Sequence, residues 1–257
     1  MVKKQAPHQA PPISRSVAAA PRGRPRRAPR AALRGEPLPV RAVQRAFDLL
    51  ARLGQQREAA TLSDLARSAA LPVSTVARLL ATLEHTGFVR RAAGGYAAGG
   101  KLLQIGLAAV RGLSIYELSE PHLRRLSEKS GETANLAVRA DAAHAIYLRQ
   151  HVSAHSIHHA SWLGRALPLD KTAVGQALAG RVNHRGYVAR RDTLERGVTA
   201  IAAPVRGPGG EIAAALSITG PSYRISDADI NRYGALVAQE AHLASSALGA
   251  PEPGGAE

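Results

Sequence analysis

Cysteine is absent from this chain, which excludes disulfides and thiolate metal ligands and agrees with a reducing compartment. Long apolar runs are absent too. Nothing approaches the roughly eighteen consecutive apolar residues of a membrane-crossing helix, and the opening residues lack the continuous apolar core of a secretory signal. The chain is therefore expected in the cytoplasm, with no membrane partner. Acidic residues are scarce, 19 against 34 Lys and Arg, for a formal charge of +15. Such a deficit favours a polyanionic partner, either nucleic acid or an anionic surface, and charge alone does not choose between them. What is present is length and apolar content: 257 residues, 45% of them hydrophobic, suffice for two folded domains.

The positive charge is concentrated. Residues 1–38 carry nine cations against the single Glu36 and almost no bulky apolar residues, so they cannot bury enough surface to fold and read as a disordered basic tail. Within it Pro21-Arg22-Gly23-Arg24-Pro25 has the form of an AT-hook core, in which Arg22 and Arg24 would lie along a narrow A·T minor groove. A compositionally biased tail touching phosphates without preference has the same residues.

The stretch from Thr61 to Arg91 is the most informative. Leu62, Leu65 and Ala66, then Val76, Leu79, Leu80 and Leu83, fall at the three-and-four spacing of two short amphipathic helices. Thr61 with Asp64 predicts a capping box, Pro72 suits a first helical turn, and Gly87 predicts the end of the second helix. Ser74, Thr75, Arg78 and Thr82 are left on the polar face, where hydroxyls and a planar guanidinium can meet a major groove. Phe88 to Arg91, Gly94-Gly95 and Tyr96 predict a small hairpin, a wing whose Arg90 and Arg91 would touch the DNA backbone or minor groove. An ordinary helical hairpin with a solvated polar face would show the same periodicity.

Upstream, Val43, Phe47, Leu50 and Leu53 line one face of a predicted helix that would pack under the reading pair. Together these segments define a winged helix-turn-helix domain over residues 39–99. Residues 100–116 predict a linker helix with Leu103, Leu107 and Val110 in one stripe, suited either to a second copy or to the following domain. From 117 to 250 the pattern is α+β: a helix, strands at TANLAVRA and AIYLRQHVS, further strands at 155–162, a helix at LDKTAVGQALA, an antiparallel pair at VTAIAAPV and EIAAALSIT, and a last helix capped by Ser226 and Asp229. That final helix would turn Ile230, Tyr233, Val237 and Ala241 inward. Residues 251–257 form a short tail.

Taken in order, LSDLARSAALPVSTVARLLATLEHTGFV, SGETANLAV, GRALPLDKTAVGQAL, RGY, GVTAIAAPV and LSITGP resemble the IclR family of bacterial transcription regulators, over most of residues 40–249. The resemblance implies a winged helix-turn-helix, a helical linker used in dimerisation, and a GAF-like mixed-sheet domain that binds a small effector. It further implies a homodimer or homotetramer on a double-stranded operator of a catabolic operon, answering to a small organic or aromatic acid. The pocket residues it implies are Leu167, Ala173, Val174, Ala200, Ser217 and Thr219. Three features depart from the family. Arg190, Arg191 and Asp192 stand where acidic residues are usual, read here as a solvated loop or an anion-seeking lip. Asp170 replaces a common histidine. Only AGRVNH remains where a long helical insertion is usual, so part of the pocket wall is expected to be missing.

Enzymatic readings find little support. His144, His151, His155, His158 and His159 are the best metal-ligating candidates, yet Asp141 and Asp170, the nearest acids, stand at no fixed spacing from them. Gly207 to Gly210 reads as a hairpin turn and not as a phosphate-cradling loop. No cofactor, metal or catalytic residue is expected. The alternative to a sequence-specific regulator is an architectural DNA-coating protein driven by the tail.

Overall fold

The computed structural model describes residues 40–56, 58–156 and 161–251. The expected tail of residues 1–38, with Arg22 and Arg24, lies outside the described residues, as do His158 and His159.

The N-terminal head comprises α1 (Arg41–Gln55), α2 (Leu62–Ala69), α3 (Val73–His85) and the hairpin of β1 (Val89–Ala92) and β2 (Gly95–Ala98). The Thr61 side chain caps α2 by accepting from the Asp64 amide at 3.1 Å. The turn into α3 is made by Ala70 in the left-handed conformation (φ 52°), an uncommon one for a residue with a Cβ. Pro72 precedes α3 as its N-cap, its carbonyl accepting from Thr75 and Val76. Leu65, Ala66, Val76, Leu80 and Leu83 are buried as expected. Next to the turn of the hairpin Gly95 passes so close to Ala60 that a Cβ there would strike the Ala60 carbonyl. This lets Ala60 and Tyr96 exchange both backbone hydrogen bonds at 2.9 Å and fixes the wing to the strand-like entry of α2.

The first helix corrects the sequence reading. Leu49, Leu50 and Leu53 carry its buried side, while Val43 and Phe47 are 51% and 62% exposed. The head covers only the C-terminal half of α1, so the apolar residues of its first two turns remain on the surface.

The linker helix α4 (Gly100–Arg111) has no buried residue, and Leu103, Ile105 and Leu107 face outward. It leads into α5 (Ser114–Leu118) and α6 (Glu120–Ser130), with Ile115 already part of the next core. The C-terminal domain continues with β3 (Thr133–Arg139), β4 (His144–His151), β5 (Ala166–Pro168), α7 (Ala173–Leu178), β6 (Val188–Arg191), β7 (Val198–Arg206), β8 (Ile212–Pro221) and α8 (Asp227–Leu248). The sheet order is β5-β4-β3-β8-β7-β6. Among the described residues every ladder in it is antiparallel, and the parallel element is a single bridge between Tyr147 and Leu163. No strand occurs at 155, 156, 161 or 162, and residues 157–160 lie outside the described residues.

The two faces of this sheet are used differently. Leu136, Ile201, Leu216 and Ile218 pack under α6 and α8, the strand alternation sending their neighbours Ala137, Ala202 and Ala215 to the face covered by α7. Small residues on that second face leave room. The last helix starts at a full capping box of Ser226 and Asp229 and is joined to α6 by a buried network: Glu240 accepts from Arg125 at 2.9 Å and contacts His122 Nδ1 at 2.8 Å.

Candidate functional site

On the head, Ser74, Arg78 and Thr82 are exposed and Thr75 is half-buried, all on the side of α3 away from Val76, Leu80 and Leu83. Helical spacing dictates this separation, since residues three and four apart share a face. Thr75, Arg78 and Thr82 line one surface groove with Ala42 and Arg45 of α1. The Thr82 hydroxyl donates to the Arg78 carbonyl at 3.2 Å, so its donor is engaged and its lone pairs remain for a ligand. Sequence reasoning missed Arg45, because α1 was read only for its apolar face.

The wing separates the two arginines it carries. Arg91 pairs with Tyr96 and Arg90 with Ala97 across the hairpin, and adjacent strand residues point to opposite faces. Arg91 sits 4.2 Å over the Tyr96 ring and 3.2 Å from Glu84 of α3, whereas Arg90 is exposed on the other face.

In the C-terminal domain a cavity of about 40 Å³ lies between the sheet and α7. Leu167, Ala173, Val174, Ala200 and Thr219 all line it. Ser217 does not: it is fully buried one alternation further along β8, with its hydroxyl near that of Tyr147 but short of full hydrogen-bond geometry. Thr219 is the better-placed hydroxyl. Its Oγ1 accepts from Asn135 at 3.3 Å, and Asn135 accepts from Gln150 at 2.8 Å. Tyr147 closes the floor; burial pushes its phenol pKa up, and contacts to Ser217 and Thr219 offset this only in part. Thr172 caps α7 by accepting from Gly175 and donating to the Pro168 carbonyl.

Arg190 also lines the cavity, and this corrects the loop reading of Arg190 and Arg191. Both belong to the edge strand β6, and only Asp192 turns away, at φ 56°. Arg190 pairs directly with Ala200, so it shares the cavity face. Recognising β6 as a strand would have placed it there from register alone. Arg191 points the other way, donating to the Ile225 carbonyl at 2.9 Å and pairing with Asp227 at 3.2 Å. Tyr147 and Trp162, also missed, line the cavity with Val174. The AGRVNH segment runs into a tight turn, the Asn183 amide donating to the Tyr187 carbonyl at 2.9 Å, and Val182 packs on the same core as the cavity walls.

His144 is bonded to Asp141 at 3.1 Å. Among the described residues no three His, Asp or Glu side chains stand together in a manner suited to a metal, and no helix is long and apolar enough to cross a membrane.

Comparison with known proteins bears on both sites. The family description "IclR helix-turn-helix domain" matches residues 42–93, and "Bacterial transcriptional regulator IclR C-terminal" matches residues 107–182 and 180–246. The second match falls in two pieces that overlap at residues 180–182, within AGRVNH. The transcriptional repressor IclR of Escherichia coli K12 is 28% identical over 248 residues, covering 82% of this chain and 90% of that protein. The repressor AllR of the same organism is 26% identical over 265 residues, covering 89% and 96%. Among solved structures, the Thermotoga maritima IclR superposes with a TM-score of 0.62 at 23% identity, covering 81% of this chain and 99% of that one. An IclR regulator from Alicyclobacillus acidocaldarius does so at 0.66 and 21%, covering 81% and 98%.

Proposed function

Since the chain belongs to the IclR family of DNA-binding transcriptional regulators, we propose that it reads a double-stranded operator with Ser74, Thr75 and Arg78. Thr82, Arg90 and Arg91 would hold the flanking backbone. The family membership makes it a regulator and not an enzyme. The observation that carries the reading is the exposed polar face of α3, presented after a tight left-handed turn by a head whose core is otherwise closed. Arg78→Ala is expected to weaken binding to a preferred duplex by about 1–3 kcal/mol and to leave binding to random DNA nearly unchanged. Titration of both duplexes at one salt concentration measures this, and equal losses on the two would contradict base reading.

The second part of the proposal is control by a small organic acid. Arg190 supplies a cation, Thr219 and Tyr147 supply hydroxyls, and a cavity of about 40 Å³ exceeds the roughly 10–15 Å³ that a single water needs, which suits a short carboxylate. A larger aromatic acid would require Trp162 or the Thr193–Glu195 loop to move. Arg190→Ala should lower affinity for two- to four-carbon carboxylates about ten- to a hundredfold, the range for a lost charge-assisted hydrogen bond. Calorimetric titration with a panel of such acids reads the effect, and unchanged affinity would remove Arg190 from the site.

A signal from the cavity towards the linker would run through β4. Tyr147 on the cavity floor and Arg149 lie on one strand. Arg149 donates to the Tyr116 carbonyl at 2.8 Å, pairs with Glu120 at 2.9 Å and stacks 4.6 Å over the Tyr116 ring, tying β4 to the helices that follow the linker. A ligand acts through such a path only if it binds one arrangement of heads better than another. Two heads would be joined by the apolar stripe of Leu103 and Leu107 on α4, in a cytoplasmic homodimer or a homotetramer built from it. The targets would be operons of catabolism, a reading supported by the relative named as the acetate operon repressor.

A further inference from the structure

We propose that α1 supplies a second DNA-contacting wall, in which Arg41 and Arg45 bind the phosphates flanking the bases read by Arg78. The inference rests on the DNA reading above and extends it to a helix that was expected only to support α3. Arg45 lines the same groove as Thr75, Arg78 and Thr82, a depression of about 250 Å³. It also lines a second groove of about 320 Å³ with Arg41, Gln44, Asp48 and Arg52, so the two depressions meet at its side chain. Arg41 and Arg45 are one helical turn apart and therefore neighbours on one face.

The charge along this track is one-sided. Among the described residues lining the two grooves, Asp48 is the single carboxylate against Arg41, Arg45, Arg52 and Arg78. Neither Arg41 nor Arg45 enters an ion pair among the described residues, and both are exposed. The fold does not require cations here, since α1 is anchored by Leu49, Leu50 and Leu53 further along. Exposed guanidiniums beside a base-reading face suit a phosphate oxygen, which accepts their planar pair of N–H groups. The contact would be independent of sequence, because phosphates position the protein while base edges specify the site. In the sequence, α1 follows closely on the nine-cation segment.

The test uses the full chain and two duplexes: one selected by the wild-type protein from a random pool, and a scrambled duplex of equal length. Arg41→Ala/Arg45→Ala is expected to weaken both by similar factors and to flatten the dependence of log affinity on log salt by roughly two, about 0.9 per lost phosphate contact. Arg41→Lys/Arg45→Lys, which keeps the charge, should hold the wild-type slope. Thermal melts of the variants identify any loss due to unfolding. Wild-type affinity and slope in the double alanine variant would overturn the proposal, as would a loss confined to the selected duplex, since that would mark base readers. If Arg78→Ala loses the selected duplex while the α1 variant changes nothing, this inference alone fails. If the wild-type protein prefers no duplex, the DNA reading itself fails.

Discussion

Glu240→Gln is expected to destabilise the C-terminal domain by about 3 kcal/mol at neutral pH, the lower end of the range for breaking a buried ion pair. The side chain of Glu240 is 3% exposed, yet it serves Arg125 and His122 of α6 from its place on α8. Arg125 retains 37% exposure, so water compensates part of its loss, which is why the lower end applies. Burial pushes the Glu240 carboxyl pKa up, but hydrogen bonds and charge from Arg125 and His122 outweigh it and hold the group below the usual carboxylate range. The sign follows. A carboxyl with a depressed folded pKa contributes stability above its unfolded value of about 4.3 and loses it as pH falls through the folded pKa. The gap between wild type and Glu240→Gln should therefore be full at pH 7 and shrink below about pH 4. Calorimetry across that range checks it; a gap that widens with acid would reverse the assignment.

Arg224 and Glu132 make a second such junction, at 2.6 Å with Glu132 2% exposed, and neither was legible in the sequence. Buried ion pairs join residues about a hundred positions apart, and local periodicity carries no trace of them. What periodicity does carry is the face of an element, and there the reading succeeded for α2, α3 and α8. It failed on α1 because an apolar face is a capacity for burial; how much of it is covered depends on the neighbours, and the head reaches only Leu49 to Leu53. Strands β7 and β8 were legible from their apolar runs. By contrast β6, with the sequence VARR, and β5, with ALP, are edge strands too short to show a period, and β6 is half arginine, so Arg190 was misplaced with it. The two-residue period correctly put Ser217 and Thr219 on one face. It could not show that the cavity ends between them.

Leu80→Ala should have the largest effect on DNA binding of any single change away from the DNA itself. Leu80 is wholly buried at the meeting of α1, α2 and α3, in a core built from residues 49–96 that shares no buried member with the two cores of the C-terminal domain. Truncating such a leucine costs about 2–5 kcal/mol, while a head of about 60 residues has in all roughly 3–9 kcal/mol of stability. The head is thus expected to melt far below its wild-type temperature, or to be unfolded at 25 °C, while the C-terminal transition stays in place. Affinity for every duplex should fall with the folded fraction of the head, and carboxylate binding at the cavity should persist. Differential scanning calorimetry with parallel ligand titration separates these outcomes. A single transition that shifts as a whole would show head and sensor to be one cooperative unit, joined across α4 more firmly than its lack of buried residues allows. Two separate transitions would mean that a ligand cannot act by loosening the head's own core. It would have to act on how α4 and its partner copy space two intact heads along the duplex.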